Sequence, residues 1–409
     1  MMSHEERRNL ETNPRIMIFG ASTRAAAQSA VRAGFRPLCA DCFVDDDLKE
    51  VADVLPLDDY PNGLLATVAN SPPLPWIYTG ALENRPTLIE KLASLRPLWG
   101  NPADVLSALR NPFRLFETLK TARLPALAVR ESDAPPPAEG RWLLKPLAGA
   151  AGRGIQIWQP GALPVGQIGE PCYFQERRVG KPISALFLAT RNGAVLIGVS
   201  EQLIGLPALS AGPFAYCGSI GPIPLAESTK RQIAQTGEVV ACAFGLRGLF
   251  GIDLLLDQGV GVAWPTEVNP RYTASVEIYE WVSSLPLLKW HIGACQAYES
   301  SSASQRLVEE FQSELGTARL ERPTGQAAKV IIYAPFPLRA PDLTEVARLH
   351  GFGSQSIEIA DRPGPGIPVA AKSPVCTLIA KEAGPKGVAV FEKCLSALAY
   401  EFERNRSPE

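Results

Sequence analysis

Histidine is scarce in this chain of 409 residues, which contains only His4, His291 and His350. A reaction that depends on a histidine base, or a metal site with several histidine ligands, therefore has little material here. His291 lies in the apolar stretch LLKWHIGA, and we expect it to be a core or helix-face residue and not a ligand.

The chain also lacks a long apolar run and an excess of either charge. No stretch approaches the ~20 apolar residues that cross a membrane, and the charged start MMSHEERRNLETNPR has no apolar core of a signal peptide. A net charge of −2 offers no broad electrostatic field for nucleic acid. We therefore expect a cytoplasmic protein that binds neither membranes nor nucleic acid and that holds any anion at a local site.

Cysteine usage gives no sign of a disulfide framework, because the eight cysteines are scattered along the chain as in proteins with reduced structural thiols. Cys39 and Cys42 form a C-x-x-C pair, but no second pair or histidine accompanies them, so a zinc or redox site is not favoured. Hydrophobic residues at 46% and charged residues at 20% indicate a globular protein, and the length suggests about two to four domains.

The first part of the chain reads as a β-α-β unit. The strand RIMIFGAS is followed by the alanine-rich helix TRAAAQSAVRAG and by a second strand, FRPLCADCF. Such units form parallel sheets with ligands at the carboxyl ends of the strands, which makes Arg24 and Asp41 candidate substrate contacts of opposite charge. Gly20 is not followed by the G-x-x-G of a dinucleotide fingerprint, so NAD binding is not expected.

A glycine-rich loop lies further on, in RWLLKPLAGAAGRGIQIW. Lys145 ends an apolar strand, and Gly149, Gly152 and Gly154 follow it. This pattern suits a flexible lid whose backbone N–H groups close over phosphates while the lysine neutralises them. A Walker A loop is excluded because its lysine follows the last glycine. The alternative is a glycine-rich hairpin turn with a surface lysine.

The next strand, in CYFQERRVG, ends in Gln175 and Glu176. A glutamate at a strand end beside exposed backbone can accept a hydrogen bond from an adenine amino group.

The segment GLFGIDLLLDQGVGVAWPTEVNPR predicts a β-hairpin, because LDQGVG has the composition of a turn. A hairpin centred near residue 260 sets Asp253 opposite Glu267, with Asn269 on the same face and Arg271 beyond it. Two carboxylates and an amide oxygen form a ligand set that Mg²⁺ prefers once phosphate oxygens complete it. An arginine beyond the metal adds a bidentate anion contact. The alternative is a set of exposed polar strand residues.

In this order, the elements resemble the ATP-grasp superfamily over most of the chain. TEVNPR and its spacing back to Asp253 are the most specific features, and LLKPLAGAAGRGI and FQERRVG follow the same order. GQAAKVIIYAP and the segment GPGIPVAAKSPVCTLIAKEAGPKGVAVFEKCLSAL look like the C-terminal lobe of biotin-carboxylase-like members. GASTRAAAQSA and EVNPRYTASVE resemble predicted carboligases linked to tetrahydromethanopterin- and methanofuran-dependent one-carbon metabolism.

The resemblance implies an α/β fold in three parts. A Rossmann-like domain covers residues 1–105, a two-lobed ATP-grasp core covers 106–300, and a C-terminal lobe covers 301–409. The implied cofactors are ATP and Mg²⁺, with Mn²⁺ as an alternative ion.

The resemblance also implies roles for single residues. Lys145 contacts the α- and β-phosphates, Gln175 and Glu176 face the adenine or ribose, and Arg271 meets the transferred phosphoryl group. The metal ligands are Asp253, Glu267 and Asn269, and the lid contains Gly149, Gly152 and Gly154. One position departs from the family, because Pro112 stands where a further lysine is expected. Arg110 or Arg114 is the candidate replacement.

The activity implied is phosphorylation of a carboxylate by ATP, followed by attack of a nucleophile on the acyl phosphate. We expect an ATP-grasp carboxylate–amine ligase that releases ADP and adds glutamate or another amino acid during assembly of a pterin- or furan-type cofactor. The expected partners are a small carboxylic acid and an amine, and a second copy of the chain in a homodimer is a further candidate partner. Two other functions remain open: a biotin-carboxylase-like enzyme that phosphorylates bicarbonate, and a nucleotide-binding regulatory subunit without turnover.

Overall fold

The computed structural model of the protein describes residues 13–159, 171–321, 325–352, 357–381 and 390–407. The charged N-terminal segment and residues 382–389 of the C-terminal motif lie outside the described residues.

The N-terminal part contains a parallel four-stranded sheet. Its strands are β1 (Arg15–Phe19), β2 (Arg36–Asp41), β3 (Asp53–Pro56) and β4 (Trp76–Tyr78), in the order β3-β2-β1-β4. Its helices are α1 (Arg24–Arg32), α2 (Asp46–Lys49), α3 (Leu64–Ala69) and α4 (Pro86–Leu95), and α5 (Ala103–Leu109) and α6 (Pro112–Thr121) lead on to the rest of the chain. The predicted β-α-β unit is confirmed as β1, α1 and β2, and Gly34 follows α1 with a φ of 82° that suits a glycine.

Two antiparallel sheets build the rest. The smaller contains β5 (Val129–Glu131), β6 (Trp142–Pro146), β7 (Gln156–Ile157) and β8 (Cys172–Glu176), in the order β5-β8-β6-β7. The larger contains β9 (Lys181–Thr190), β10 (Gly193–Ile204), β11 (Tyr216–Gly221), β12 (Gly248–Asp257), β13 (Val262–Asn269), β14 (Ala327–Tyr333), β16 (Ile357–Ala360) and β18 (Pro374–Ala380). Its order is β13-β12-β9-β10-β11-β14-β18-β16. The strands β15 (Leu338–Arg339) and β17 (Pro368–Val369) form a separate pair.

The remaining helices cover the large sheet and its C-terminal extension. They are α7 (Glu227–Phe244), α8 (Val276–Ser283), α9 (Leu287–Ala297), α10 (Ser301–Glu321), α11 (Leu343–Leu349) and α12 (Glu392–Arg404). Strands β14, β18 and β16 continue the sheet begun by β9–β13. The expected division at residues 105 and 300 stays a prediction.

Strand β9 runs through the core, and its residues from Ile183 to Thr190 are all buried. Phe187 of this strand stacks on Phe250 with ring centroids 4.9 Å apart. Helix α7 can approach because Gly237 faces the Phe187 ring, where a Cβ atom would lie only 2.1 Å from it. The result is a mixed α/β architecture in which helices are layered on the sheets, as predicted.

His291 and the cysteines behave as expected from the sequence. His291 is buried, its Nδ1 accepts a hydrogen bond of 2.8 Å from the Leu249 N–H, and burial lowers its pKa to about 4. All eight cysteines are free thiols. Among the described residues, no helix combines the length and the apolar character that a bilayer crossing needs.

A buried ion network joins the N-terminal sheet to the C-terminal strands. Arg24 is 1% exposed, donates from Nε to Asp361 Oδ1 at 2.8 Å, and pairs through Nη1 with Glu277. Lys329 donates to the second oxygen of Glu277 at 2.7 Å. Asp41 is also buried, and its carboxylate accepts from the N–H groups of Thr23, Phe43 and Val44. The expectation that Arg24 and Asp41 contact substrate is therefore wrong, because both groups are saturated by partners within the protein.

We predict that Arg24→Met lowers the free energy of unfolding by about 3–5 kcal/mol, because half-buried Asp361 then loses its ion-pair partner and buried Glu277 keeps only Lys329. Arg15→Met is the matched control, since Arg15 pairs with Asp53 at the surface and such pairs contribute at most about 1 kcal/mol. Urea unfolding measures both. Equal losses in the two variants would contradict a stabilising role for the network.

Candidate active site

The hairpin of β12 and β13 positions the two candidate metal carboxylates. Asp253 pairs with Glu267, and Gly251 pairs with Asn269, as the sequence predicts. The register shifts by one residue next to this pair, because Leu254 pairs with Pro265 and leaves Thr266 as an extra residue. Thr266 anchors this bulge by donating from Oγ1 to the Asp253 carbonyl at 3.1 Å. The bulge therefore brings Glu267 to the face that Asp253 occupies.

Neighbouring groups shift the pKa values of the two carboxylates in opposite directions. Burial, followed by repulsion from Glu267, raises the pKa of Asp253 to about 6. Burial also disfavours ionised Glu267, but the charges of Arg110 and Lys145 outweigh it and lower the Glu267 pKa. Arg110 donates from Nη1 to Glu267 Oε1 at 2.8 Å. One carboxylate is thus held ionised by the protein, while the other forms no ion pair with a described residue.

Two amides complete the surroundings of Asp253. Asn269 Nδ2 donates to Asp253 Oδ2 at 3.0 Å, and Gln202 Nε2 donates to Oδ1 at 2.9 Å. No group of three or more His, Cys, Asp and Glu residues in the described part of the chain forms a metal cluster. Two carboxylates and one amide oxygen are an oxygen set that fits Mg²⁺, provided that ligands from outside the protein, such as phosphate oxygens, fill the other positions.

Lys145 lies beside the hairpin, on β6. Its side chain is 8% exposed and donates from Nζ to Gln175 Oε1 at 3.1 Å. Gln175 in turn donates from Nε2 to the Thr266 carbonyl at 3.2 Å. A chain of hydrogen bonds therefore links the lysine strand, β8 and the bulge.

The glycine-rich loop closes one side of this region. The Gly149 carbonyl accepts from Arg110 Nη2 at 3.0 Å and from Asn84 Nδ2 at 3.1 Å. Gly152 has a φ of 76°, and a Cβ atom there would lie 1.9 Å from the Phe214 carbonyl oxygen. A larger residue cannot occupy that place without moving the backbone. The loop is thus held at its start and packed closely at its tip.

Together these elements line an open cleft with about 760 Å³ of empty space, part of which is open to solvent. Its lining combines polar and glycine residues with apolar residues, several of which belong to α6. The lining includes Arg110, Pro112, Leu115, Phe116, Leu119, Lys145, Gly149, Gly152, Arg153, Tyr173, Gln175, Thr266 and Glu267. The Arg153 guanidinium has no hydrogen bond or ion pair with any residue that the structure describes, although sequence reasoning did not single it out.

Two of the expected side chains point elsewhere. Tyr173 and Gln175 line the cleft, so strand alternation directs Glu176 to the opposite face, where its Oε2 accepts from the Ala128 N–H at 3.2 Å. Arg114 is exposed, and its guanidinium lies 5.8 Å from the centre of the Phe244 ring. Of the two arginines considered as replacements at Pro112, the structure therefore places Arg110 in the cleft.

The position of Pro112 has a local explanation. It is the first residue of α6, where a helix needs no N–H donor, and the Asn111 side chain caps the helix by accepting from the N–H groups of Phe113 and Arg114.

Comparison with known proteins identifies the fold. A family model described as an ATP-grasp domain matches residues 110–275. No curated protein matches the chain.

Solved structures with the same fold cover nearly the whole chain. The biotin carboxylase domain of 2-oxoglutarate carboxylase from Hydrogenobacter thermophilus, in complex with MgADP, ADP and bicarbonate, is 16% identical over 95% of this chain and 90% of that one, with a TM-score of 0.66. An L-amino acid ligase from Bacillus licheniformis is 16% identical over 96% and 98%, with a TM-score of 0.64. N5-carboxyaminoimidazole ribonucleotide synthetase from Thermus thermophilus is 16% identical over 96% and 99%, with a TM-score of 0.62.

We predict that Mg²⁺-dependent ADP binding weakens as the pH falls through about 6, because Asp253 then becomes protonated and a protonated carboxyl is a poor Mg²⁺ ligand. Burial raises this pKa above the value near 4 that Asp253 has in the unfolded chain. At a pH above about 4, ionisation of Asp253 therefore lowers the free energy of unfolding. Asp253→Asn should therefore unfold at a higher temperature than the parent at pH 7 without Mg²⁺ and should lose the Mg²⁺-dependent part of ADP binding.

Calorimetric titration and thermal melting between pH 5 and pH 8 test this prediction. Asp133→Asn, which changes an exposed aspartate, is the control. Unchanged Mg²⁺ dependence in Asp253→Asn would contradict the proposed ligand.

We also predict that trypsin cleaves after Arg153 more slowly when Mg²⁺ and a non-hydrolysable ATP analogue are present, because bound phosphates order the glycine-rich lid. Cleavage after Arg191, in the exposed turn between β9 and β10, is the internal control and should keep its rate. Peptide mapping by mass spectrometry separates the two cuts. If nucleotide leaves both rates unchanged, the loop does not close over phosphates.

Proposed function

We propose that this chain, whose residues 110–275 are an ATP-grasp domain, is an ADP-forming ligase that joins a carboxylic acid to an amine through an acyl phosphate. The observation that carries the proposal is that Glu267, which pairs across the strands with Asp253, lines one cleft together with Lys145 and the glycine-rich loop. At a single place, these groups supply ligands for a metal ion, a positive charge that neutralises phosphates, and a loop that closes over them.

The residues of the cleft divide the work as follows. Lys145 neutralises the α- and β-phosphates, and the backbone of residues 149–154 closes over them. Asp253, Glu267 and Asn269 hold Mg²⁺, which when bound neutralises charge on the terminal phosphates. Arg110 lies against both Glu267 and the lid, so it takes the part of the lysine that the family carries at Pro112.

Gln175 is the polar side chain of β8 on the cleft face, where it orients Lys145. The Glu176 carboxylate lies on the opposite face of β8, where it accepts from the Ala128 N–H. At Glu176 and in the residues after it, the nucleotide therefore contacts the backbone and not the Glu176 side chain.

Arg271 contacts the phosphoryl group as it moves. A carboxylate oxygen of the acid attacks the γ-phosphorus, the bond to the bridging oxygen of ADP breaks, and Arg271 stabilises the charge on the transferred group. The amine nitrogen then attacks the acyl carbon, phosphate leaves with the bonding electron pair, and the amine gives up a proton. The protein contributes positioning and charge, because the activated phosphate supplies the reactivity.

The acid that we propose is glutamate or another amino acid, used in the cytoplasm during assembly of a pterin- or furan-type one-carbon cofactor. The sequence resemblance supports this assignment, and the structural likeness to an L-amino acid ligase agrees with it. Arg24 and Asp41 no longer contribute to it, since both are buried in internal contacts.

A second candidate is phosphorylation of bicarbonate. The observation that favours it is the likeness to a biotin carboxylase domain solved with MgADP and bicarbonate, which covers most of both chains. The regulatory-subunit alternative loses support, because Arg110 fills the cleft position beside Pro112.

We predict that ADP release depends on a carboxylic acid and an amine together, and that hydroxylamine replaces the amine by trapping the acyl phosphate as a hydroxamate. A coupled ADP assay across paired acids and amines, starting with glutamate, measures this. Glu267→Ala is the matched inactive control. Full ADP release with bicarbonate alone, without a hydroxamate from any organic acid, would replace the ligase by the carboxylase-like function.

A further inference from the structure

A turn of the N-terminal sheet, residues 80–84, lies against Arg271 and the lid at the same time. The turn follows β4 and contains a short 3-10 helix, Leu82–Asn84. Arg271 Nε donates to Glu83 Oε1 at 2.9 Å, and Asn84 Nδ2 donates to the Gly149 carbonyl at 3.1 Å. This turn, which lies outside residues 110–275, therefore contacts both Arg271 and the glycine-rich loop.

Glu83 is buried to an extent that is unusual for a carboxylate. The residue is 2% exposed, and its Oε2 has no hydrogen-bond partner among the described residues. Arg271 is its ion-pair partner there. A buried ion pair is often no more stabilising than apolar residues of the same volume, because both charges lose their hydration. Stability alone therefore gives a weak reason for this pair, and an orienting role gives a stronger one.

The backbone of the turn is shaped around the Arg271 guanidinium. A Cβ atom on Gly80 would lie 3.4 Å from Arg271 Cζ and Nη2, which is an ordinary contact distance, so the turn packs against the guanidinium at this position. Ala81 has a φ of 78°, a conformation that costs energy for a residue other than glycine. Tyr60 Oη donates to the Gly80 carbonyl at 3.3 Å, and the Thr79 N–H donates to the Phe19 carbonyl at 2.8 Å. The sheet thus holds the turn in its place.

The bonds of Arg271 show which edge of the guanidinium remains for an anion. Nε is taken by Glu83 at 2.9 Å, whereas Nη1 reaches the Tyr272 carbonyl at 3.2 Å and Nη2 reaches Asn269 Oδ1 at 3.3 Å. The two terminal nitrogens have the longer bonds, and these are the easier ones to exchange for a phosphate oxygen.

We propose that Glu83 is a positioning residue, which holds Arg271 through Nε so that Nη1 and Nη2 face the phosphoryl group in transfer. The inference rests on the proposed function, because it assumes that Arg271 contacts that group. It assigns the N-terminal sheet a part in the phosphoryl-transfer step, in addition to its structural role.

The experiment compares Glu83→Gln, Arg271→Ala and the control Glu90→Gln, which changes an exposed glutamate of α4. The probes are Mg²⁺ with ADP alone, and Mg²⁺ with ADP and fluoroaluminate, a mimic of the phosphoryl group in transfer that requires no knowledge of the acid. Affinity for each is measured by calorimetric titration. Glu83→Gln should bind ADP as the parent does and bind the fluoroaluminate complex about 10- to 100-fold more weakly, because a misdirected arginine loses its contact. Arg271→Ala should lose at least as much.

The outcomes distinguish a failure of the positioning role of Glu83 from a failure of the proposed function, in which Arg271 contacts the phosphoryl group. If Arg271→Ala weakens the fluoroaluminate complex and Glu83→Gln matches Glu90→Gln, the positioning role is wrong while the proposed function stands. If Arg271→Ala has no effect, the proposed contact of Arg271 fails and the inference fails with it. An equal loss for ADP alone in Glu83→Gln would show a merely structural role. Should Glu83→Gln not fold, Glu83→Asp keeps the charge, shortens the reach and serves in its place.

Discussion

The repulsion between Asp253 and Glu267, set side by side across two strands, is the constraint on which the candidate site depends. Like charges directly opposite in a sheet destabilise it, and burial increases the cost. The surrounding groups offset this cost unequally: Arg110 and Lys145 face Glu267, whereas Asp253 accepts hydrogen bonds from the neutral amides of Asn269 and Gln202. Asp253 is thus a half-buried carboxylate without an ion pair among the described residues, and this supports the proposed cation site.

Arg110 and Lys145, whose charges stabilise ionised Glu267, also bind other residues of the cleft. Arg110 divides its donors between the Glu267 carboxylate and the Gly149 carbonyl, so the candidate metal ligand and the glycine-rich loop share one side chain. Lys145 binds Gln175, and Gln175 binds the Thr266 carbonyl of the bulge. Displacing any of these groups therefore changes both the charge balance at the carboxylates and the shape of the cleft.

Much of this arrangement follows from local sequence patterns, but the register of the hairpin does so only in part. Regular pairing outward from the turn would set Asp253 opposite Thr266 and direct Glu267 to the other face, because Asp257 pairs with Val262 and Leu254 with Pro265. The one-residue bulge at Thr266 restores the predicted pair. The spacing of acids in the sequence was informative because a metal site needs them together, whereas turn chemistry alone would have placed them apart.

The errors of sequence reasoning lie where partners are distant along the chain. Arg24 and Asp41 occupy the strand ends at which α/β proteins bind ligands, yet Arg24 is neutralised by Glu277 and Asp361, more than 250 residues away. Glu83 escaped notice for the same reason, since its partner is 188 residues further on. The role of a single charged residue at a strand end therefore cannot be inferred from the sequence until the residues that pack against it are known. The carboxyl edge of the N-terminal sheet does lie next to the candidate site, but through the turn at residues 80–84, which binds Arg271 and the Gly149 carbonyl.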